Sequence, residues 1–146
     1  MQFRRVTKAD LGDVMHLEKM AFEDGALSLK EIRITCASTT TEAFVAFVAD
    51  ALVGYVIGKR DGFTVEIVRM AVLPTARRMG IGRAMIGQYA RALGDITLES
   101  RARGAWGEFL KACKFKPAID YPGGQILYRR GWRFKRAPAL CHRGIK

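Results

Sequence analysis

Apolar positions along this chain recur with two periods, about 3.6 and 2, and the places where one gives way to the other outline its elements. Gln2–Thr7 reads as a first strand. Leu11, Val14, Met15, Glu18, Ala21 and Phe22 then follow a helical spacing, a mostly apolar face with Glu18 as its polar exception. Thr7 or Asp10 is placed to cap that helix. Glu23-Asp24-Gly25 breaks it, and Ser28 with Glu31 forms a capping box for the shorter helix SLKEIRITCAS. The β-rich runs within Glu42–Asp50 and Ala51–Arg60 predict a hairpin with Asp50 and Ala51 at its turn. Asp61-Gly62 turns the chain into the strand FTVEIVRMAVLP, which stops at Pro74. A helix opens at Gly80 and ends before Gly94-Asp95. ITLESRA is the next strand, and GAWGEFLKACKF the next helix, with Trp106, Phe109, Leu110 and Cys113 on one side. ILYRRGWRFKR contains a last strand in which Trp132 and Phe134 alternate with Arg133 and Lys135. His16 falls between the apolar positions of its helix and reads as a surface residue.

The segment from Phe63 to Leu93 carries the chemistry. It runs strand, loop, helix, with Arg77-x-x-Gly80-x-Gly82 where the loop becomes the helix. The first N–H groups of a helix lack intrahelical partners, and the dipole adds positive charge there. Glycines let an anion approach the backbone, and Arg77, Arg78 and Arg83 add charge, so a pyrophosphate fits such a site. A dinucleotide fingerprint needs a third glycine where Met85 stands, and no Gly-Lys-Ser/Thr follows to make a Walker loop. MAVLPTARRMGIGRAMI resembles motif A of the GNAT acetyltransferases. That resemblance implies acetyl-CoA as co-substrate, with Met70, Ala71 and Val72 along the pantetheine arm. It implies a pyrophosphate loop at Arg77, Arg78, Met79, Gly80, Ile81, Gly82 and Arg83, an oxyanion donor at the Val72 amide, and no metal. The element order also follows the family from Gln2 to Tyr128. The fold expected is α/β (α+β): a mixed, mostly antiparallel sheet of six to seven strands flanked by about four helices.

Transfer of an acetyl group to an amine needs a base for the nitrogen, an oxyanion donor and a proton for the leaving thiolate. Glu66, in EIVRMAV, matches the base of the general-control histone acetyltransferases. Glu99, in LESRA, matches the base of the ribosomal-protein N-terminal acetyltransferases, whose first helix Asp10-Leu11 … Leu17-Glu18 … Ala21-Phe22 also resembles. Each glutamate also reads as an ordinary strand residue paired with a cation. Strict alternation places Glu66, Val68 and Met70 on one face, and a backbone bulge near the cofactor site would change the face that Glu66 joins. Many family members carry a Tyr in the helix of the final motif, where this chain has Leu110, which donates no proton. Tyr121, in IDYPGG, is the substitute candidate and also reads as a residue lining the substrate site.

Composition adds limits. The 146 residues fit one domain, and 49% hydrophobic content supports a core. No run is apolar enough to span a bilayer, and the N-terminus lacks a signal-peptide core. Cys36, Cys113 and Cys141 fit no zinc spacing and suggest a reducing cytoplasm. A net charge of +11 favours anionic partners and disfavours strongly cationic acceptors such as polyamines. No acidic residue follows Asp120, and the cation–aromatic mix from Arg129 to Arg136 suits RNA or ribosome contact, or else a solvated edge strand. The division expected is one acetyltransferase domain over residues 1–136 and a basic tail over 137–146. The resemblance implies an N-acetyltransferase acting on an amine such as a protein N-terminus, by direct attack in a ternary complex. The alternative is a CoA-binding basic adaptor with impaired catalysis, bound to RNA or ribosome.

Overall fold

In the computed structural model, residues 1–131 are described; the tail residues 137–146, and Trp132 to Arg136 before them, lie outside that range. The strands are β1 (Gln2–Arg5), β2 (Thr41–Val48), β3 (Ala51–Asp61), β4 (Thr64–Val72), β5 (Thr97–Ala102), β6 (Lys116–Asp120) and β7 (Ile126–Gly131). The α-helices are α1 (Leu11–Phe22), α2 (Leu29–Ala37), α3 (Ile81–Leu93) and α4 (Gly104–Ala112). One sheet has the order β1-β2-β3-β4-β5-β7-β6. Its neighbours are antiparallel except β4 and β5, which run parallel. This is the mixed sheet with flanking helices that the family resemblance implies.

Local chemistry explains most boundaries. Ser28 Oγ accepts from the Glu31 N–H at 3.1 Å and Glu31 Oε1 accepts from the Ser28 N–H at 3.0 Å, which closes the predicted capping box. The hairpin turn falls one residue earlier than expected, on Ala49 and Asp50, whose φ angles are 51° and 64°. Two left-handed residues match the twist of the flanking strands. Asp10 accepts both Arg4 nitrogens, at 2.8 and 3.0 Å, and the Thr7 N–H at 2.7 Å, fastening β1 to the start of α1. The hydrogen bonds from Arg4 hold its carboxyl down at about 2. β6 was not expected as a strand. All its residues are exposed and Pro117 interrupts it, so it carries no alternation to read.

Helices cover both faces of the sheet. Below α3 and α4 lie Val56, Val65, Ile67, Leu98 and Tyr128, with Met85, Ile86, Tyr89 and Leu110 from the helices. On the other face α1 and α2 bury Leu11, Val14, Leu17 and Ile32 against Val45, Tyr55 and Ile57. Gly58 leaves room for Tyr89: a Cβ there would meet the Tyr89 hydroxyl at 2.3 Å. That hydroxyl donates to the Glu42 carbonyl at 2.7 Å.

Two irregularities in β4 make the site. Ile57 pairs with Arg69 but Gly58 pairs with Ile67, so Val68 is an extra residue in a β-bulge. The bulge overturns the expected alternation. Val65, Ile67 and Met70 pack toward the α3–α4 side, which puts Glu66 on the face opposite Met70. The second irregularity is the parallel ladder, whose register is Thr64 with Thr97, Val65 with Leu98 and Glu66 with Glu99. Beyond Glu66 the two strands splay apart.

Candidate active site

The splay opens a cavity of about 620 Å³. Met70, Ala71 and Val72 of β4 form its floor, Arg77, Arg78, Gly80, Ile81, Gly82 and Arg83 one end, and Trp106 and Phe109 of α4 a wall. The sequence-selected cofactor residues therefore converge there, except Met79, which is exposed and does not line the cavity. Val72 and Met70 occupy the non-hydrogen-bonded pairs of the β3–β4 ladder, as the Leu73 N–H to Val53 carbonyl bond of 2.7 Å indicates. Their N–H groups hence point to the side that β5 has left.

The anion end follows from the turn chemistry. Pro74 starts one 3₁₀ turn, and Arg77 Nε donates to the Val72 carbonyl at 3.0 Å, pinning the loop to the end of β4. Arg78 and Gly80 adopt φ of 66° and 78°. These left-handed residues swing the chain into α3, whose first i to i+4 bond is Ala84 N–H to the Gly80 carbonyl. The N–H groups ahead of Ala84 have no intrahelical acceptor. At Gly82 an added Cβ would lie 3.1 Å from Phe109, so glycine keeps the helix end close to α4. Exposed N–H groups, three arginines and a long apolar floor fit a molecule with an anionic end and an extended arm, as acetyl-CoA has.

A second hollow of about 290 Å³ adjoins the first through Phe22, Met70 and Trp106. Its other lining residues are Ile67, Val68, Arg69, Ser100 and Arg101. Ser100 bridges the splay: its Oγ donates to the Ile67 carbonyl at 3.1 Å and accepts from Trp106 Nε1 at 3.0 Å. Trp106, stacked on Phe109 at 5.1 Å, is thereby held at the junction. No motif in the sequence marks Ser100 or Trp106 for the site; the serine inside LESRA is the available signal.

Glu66 and Glu99 are register partners and share the face of the sheet away from α3 and α4. Arg129 Nε donates to Glu99 Oε2 at 2.7 Å, whereas Arg101 approaches Glu66 Oε2 only to 3.5 Å. Tyr121 lies under Arg101, its ring centroid 5.2 Å from the guanidinium carbon, and lines neither hollow. Leu110 is fully buried in the core. Among the cavity-lining residues of α4 only Trp106 carries a polar hydrogen, and Ser100 takes it.

One wall rests on a buried ionic network. Glu18 is fully buried and accepts from the Tyr55 hydroxyl, from Arg69 and from the Leu27 N–H at 2.8 Å. Burial pushes its carboxyl up, but those hydrogen bonds outweigh it and hold Glu18 below its usual range. Burial and the Glu18 charge push the Tyr55 hydroxyl well above its ordinary value. Arg69 also donates to the Gly25 carbonyl at 2.8 Å and lies over the Phe22 ring at 3.8 Å. The network therefore fixes the α1–α2 connection beside both hollows. Among the described residues no group of three or more His, Cys, Asp or Glu is placed to hold a metal. No helix there is long and apolar enough to cross a membrane.

Residues 11–106 match the family model "Acetyltransferase (GNAT) family". Among solved structures, the ribosomal-protein-S18-alanine N-acetyltransferase from Escherichia coli is similar, with TM-score 0.76, 18% identity, and coverage of 89% of this chain and 92% of that one. An N-acetyltransferase from Thermoplasma acidophilum in complex with coenzyme A has TM-score 0.71 at 15% identity, covering 90% of this chain and 98% of that one. The ribosomal-protein-alanine N-acetyltransferase from Brucella melitensis has TM-score 0.72 at 15% identity, covering 90% and 99%. At such identities the likeness shows a shared fold. No curated protein sequence matches the chain.

Proposed function

The chain belongs to the GNAT acetyltransferase family, and on that premise we propose that it transfers an acetyl group from acetyl-CoA to an amine by direct attack in a ternary complex. The observation that carries this reading is the continuity of the two hollows at Phe22, Met70 and Trp106. The larger suits the cofactor; the smaller is lined by Arg101, which shares a face of β5 with Glu99, while Glu66 and Glu99 themselves line neither hollow. When bound, acetyl-CoA supplies an activated acetyl thioester. Arg77, Arg78, Arg83 and the first turn of α3 would hold the pyrophosphate, and Met70, Ala71 and Val72 would hold the arm. The Val72 N–H, pointing into the cleft, is the oxyanion donor. Glu99 takes the amine proton, directly or through water, with Glu66 beside it. Tyr121 lines neither hollow but stands against Arg101, which does line the smaller one, and with Leu110 apolar it is the candidate to reprotonate the thiolate.

A protein N-terminus is the acceptor we favour, since two of the similar folds belong to ribosomal-protein alanine acetyltransferases. We place the activity in the cytoplasm, in a domain over residues 1–136 with a basic tail over 137–146 that contacts RNA or ribosome. The missing acid on α4 supports a second reading, a CoA-binding adaptor without turnover. Thiol release from acetyl-CoA, measured across peptides, aminoglycosides and amino acids, separates the two. Amine-dependent release is expected; CoA binding without release for any amine would establish the adaptor.

A further inference from the structure

Three arginines on the sheet face that bears Glu66 and Glu99 differ in what they are committed to, and two of them, Arg69 and Arg101, line the smaller hollow. Arg69 serves Glu18 and the Gly25 carbonyl. Arg129 donates to Glu99 at 2.7 Å. Arg101 is held by neither kind of bond. Its ion pair with Glu66 spans 3.5 Å, and among the described residues its guanidinium makes no hydrogen bond. It lies over the Tyr121 ring instead, 5.2 Å from the centroid. A contact with an aromatic ring takes up no N–H in a directed hydrogen bond, so the donors of the guanidinium stay free, in a fork that matches a carboxylate. Arg101 also lines the hollow, half-exposed, two residues from Glu99 on the same face of β5.

Two carboxylates and an uncommitted guanidinium thus stand side by side, one strand repeat apart, or roughly 6–7 Å. We propose that Arg101 selects acceptors carrying a carboxylate near the reacting amine. This rests on the acetyl-transfer reading of the site. The ammonium of such an acceptor is drawn to Glu66 and Glu99, and its carboxylate to Arg101. The incoming carboxylate replaces Glu66 as the partner of Arg101 and leaves Glu66 facing the amine. A dianionic phosphate fits less well, because the same two glutamates repel it while one guanidinium attracts it. The carboxylate has two sources: the main-chain carboxylate of a free amino acid, or an acidic side chain next to a peptide N-terminus.

Paired acceptors test this with the full-length chain at saturating acetyl-CoA. Alanine against alaninamide probes the first source, and Ala-Asp amide against Ala-Asn amide the second. One pair should show a preference for the carboxylate of about tenfold or more in kcat/KM, expressed mainly in KM. In Arg101→Gln the preference should fall below about threefold, and Arg101→Lys should restore part of it. No preference in either pair, or one that survives Arg101→Gln, overturns the proposal. If no amine is acetylated, the acetyl-transfer reading fails, and calorimetry still decides the role of Arg101. The probes are then N-acetylalanine and N-acetyl-Ala-Asp amide, titrated into CoA-loaded protein. At least tenfold weaker binding of one of them to Arg101→Gln is expected. Equal affinity, or no binding of either to the unaltered protein, overturns the proposal.

Discussion

Glu66 and Glu99 face the same way from adjacent strands, yet their surroundings differ: Glu99 is less exposed and locked by Arg129 at 2.7 Å, while Glu66 is loosely held by Arg101. A fixed carboxylate meets the amine with less reorganisation. Glu99→Gln should therefore lower kcat by roughly a hundredfold or more, and Glu66→Gln by about tenfold. Rates for both variants on one active acceptor across pH check this, and a full rate in Glu99→Gln with collapse in Glu66→Gln would reverse the ranking. Asp10 gives a second expectation at this scale. Its carboxyl is held at about 2, below the ordinary 3.8, so its stabilisation is complete above about pH 4 and is lost as pH falls through 2. Thermal melts between pH 5 and 2 should show Asp10→Asn less stable at the upper end and less pH-dependent throughout the interval. Both glutamates were legible from the residues around them. Glu18 was legible only as a polar exception on α1, because its partners Tyr55 and Arg69 lie 37 and 51 residues away and no local period encodes them.

At the scale of elements, the strand–loop–helix from β4 to α3 was the most legible part of the chain, since Pro74, Gly80 and the arginines each have a local geometric reason. Gly82→Asp should weaken CoA binding by at least tenfold. It sets a carboxylate at the anion end and presses a Cβ toward Phe109, 3.1 Å away. Calorimetry with the circular-dichroism spectrum unchanged is the measurement, and unaltered affinity would remove the pyrophosphate from this helix end. A bulge near the cofactor site was an open alternative, but its place at Val68 was not legible. The apolar pattern of FTVEIVRMAVLP continues smoothly through it, and only the pairing with β3 reveals the extra residue. That single residue decides that Glu66 and Met70 look to opposite faces, and in the proposed function it separates the acceptor side from the cofactor floor.

For the molecule as a whole, the net charge of +11 predicts salt-sensitive association with RNA. Deleting Ala137–Lys146 should leave turnover on a small amine within about twofold. It should weaken RNA binding and lower the salt slope by about 0.7 for each phosphate that the shortened chain no longer neutralises. Neutralising Arg133, Lys135 and Arg136 should go further, and labelled-RNA titrations at several salt concentrations report both; equal slopes would mean a solvated terminus. The splay of β4 from β5 has a mechanical consequence. Ladder pairing joins them only from Thr64–Thr97 to Glu66–Glu99, with the Ser100 Oγ bond to the Ile67 carbonyl just beyond, so the sheet is two leaves, β1–β4 and β5-β7-β6, stitched at one end. A ligand lying in the gap takes the place of the missing rungs and acts as a wedge that ties the leaves together. Amide hydrogens of β5 and of the outer half of β4 should thus exchange fastest among the central strands when the gap is empty, and slow most on adding CoA. The melting point should climb with CoA concentration as RT ln(1 + [L]/Kd) requires. The co-substrate is then also a structural member, and a cell depleted of it would hold this protein in its most easily opened form.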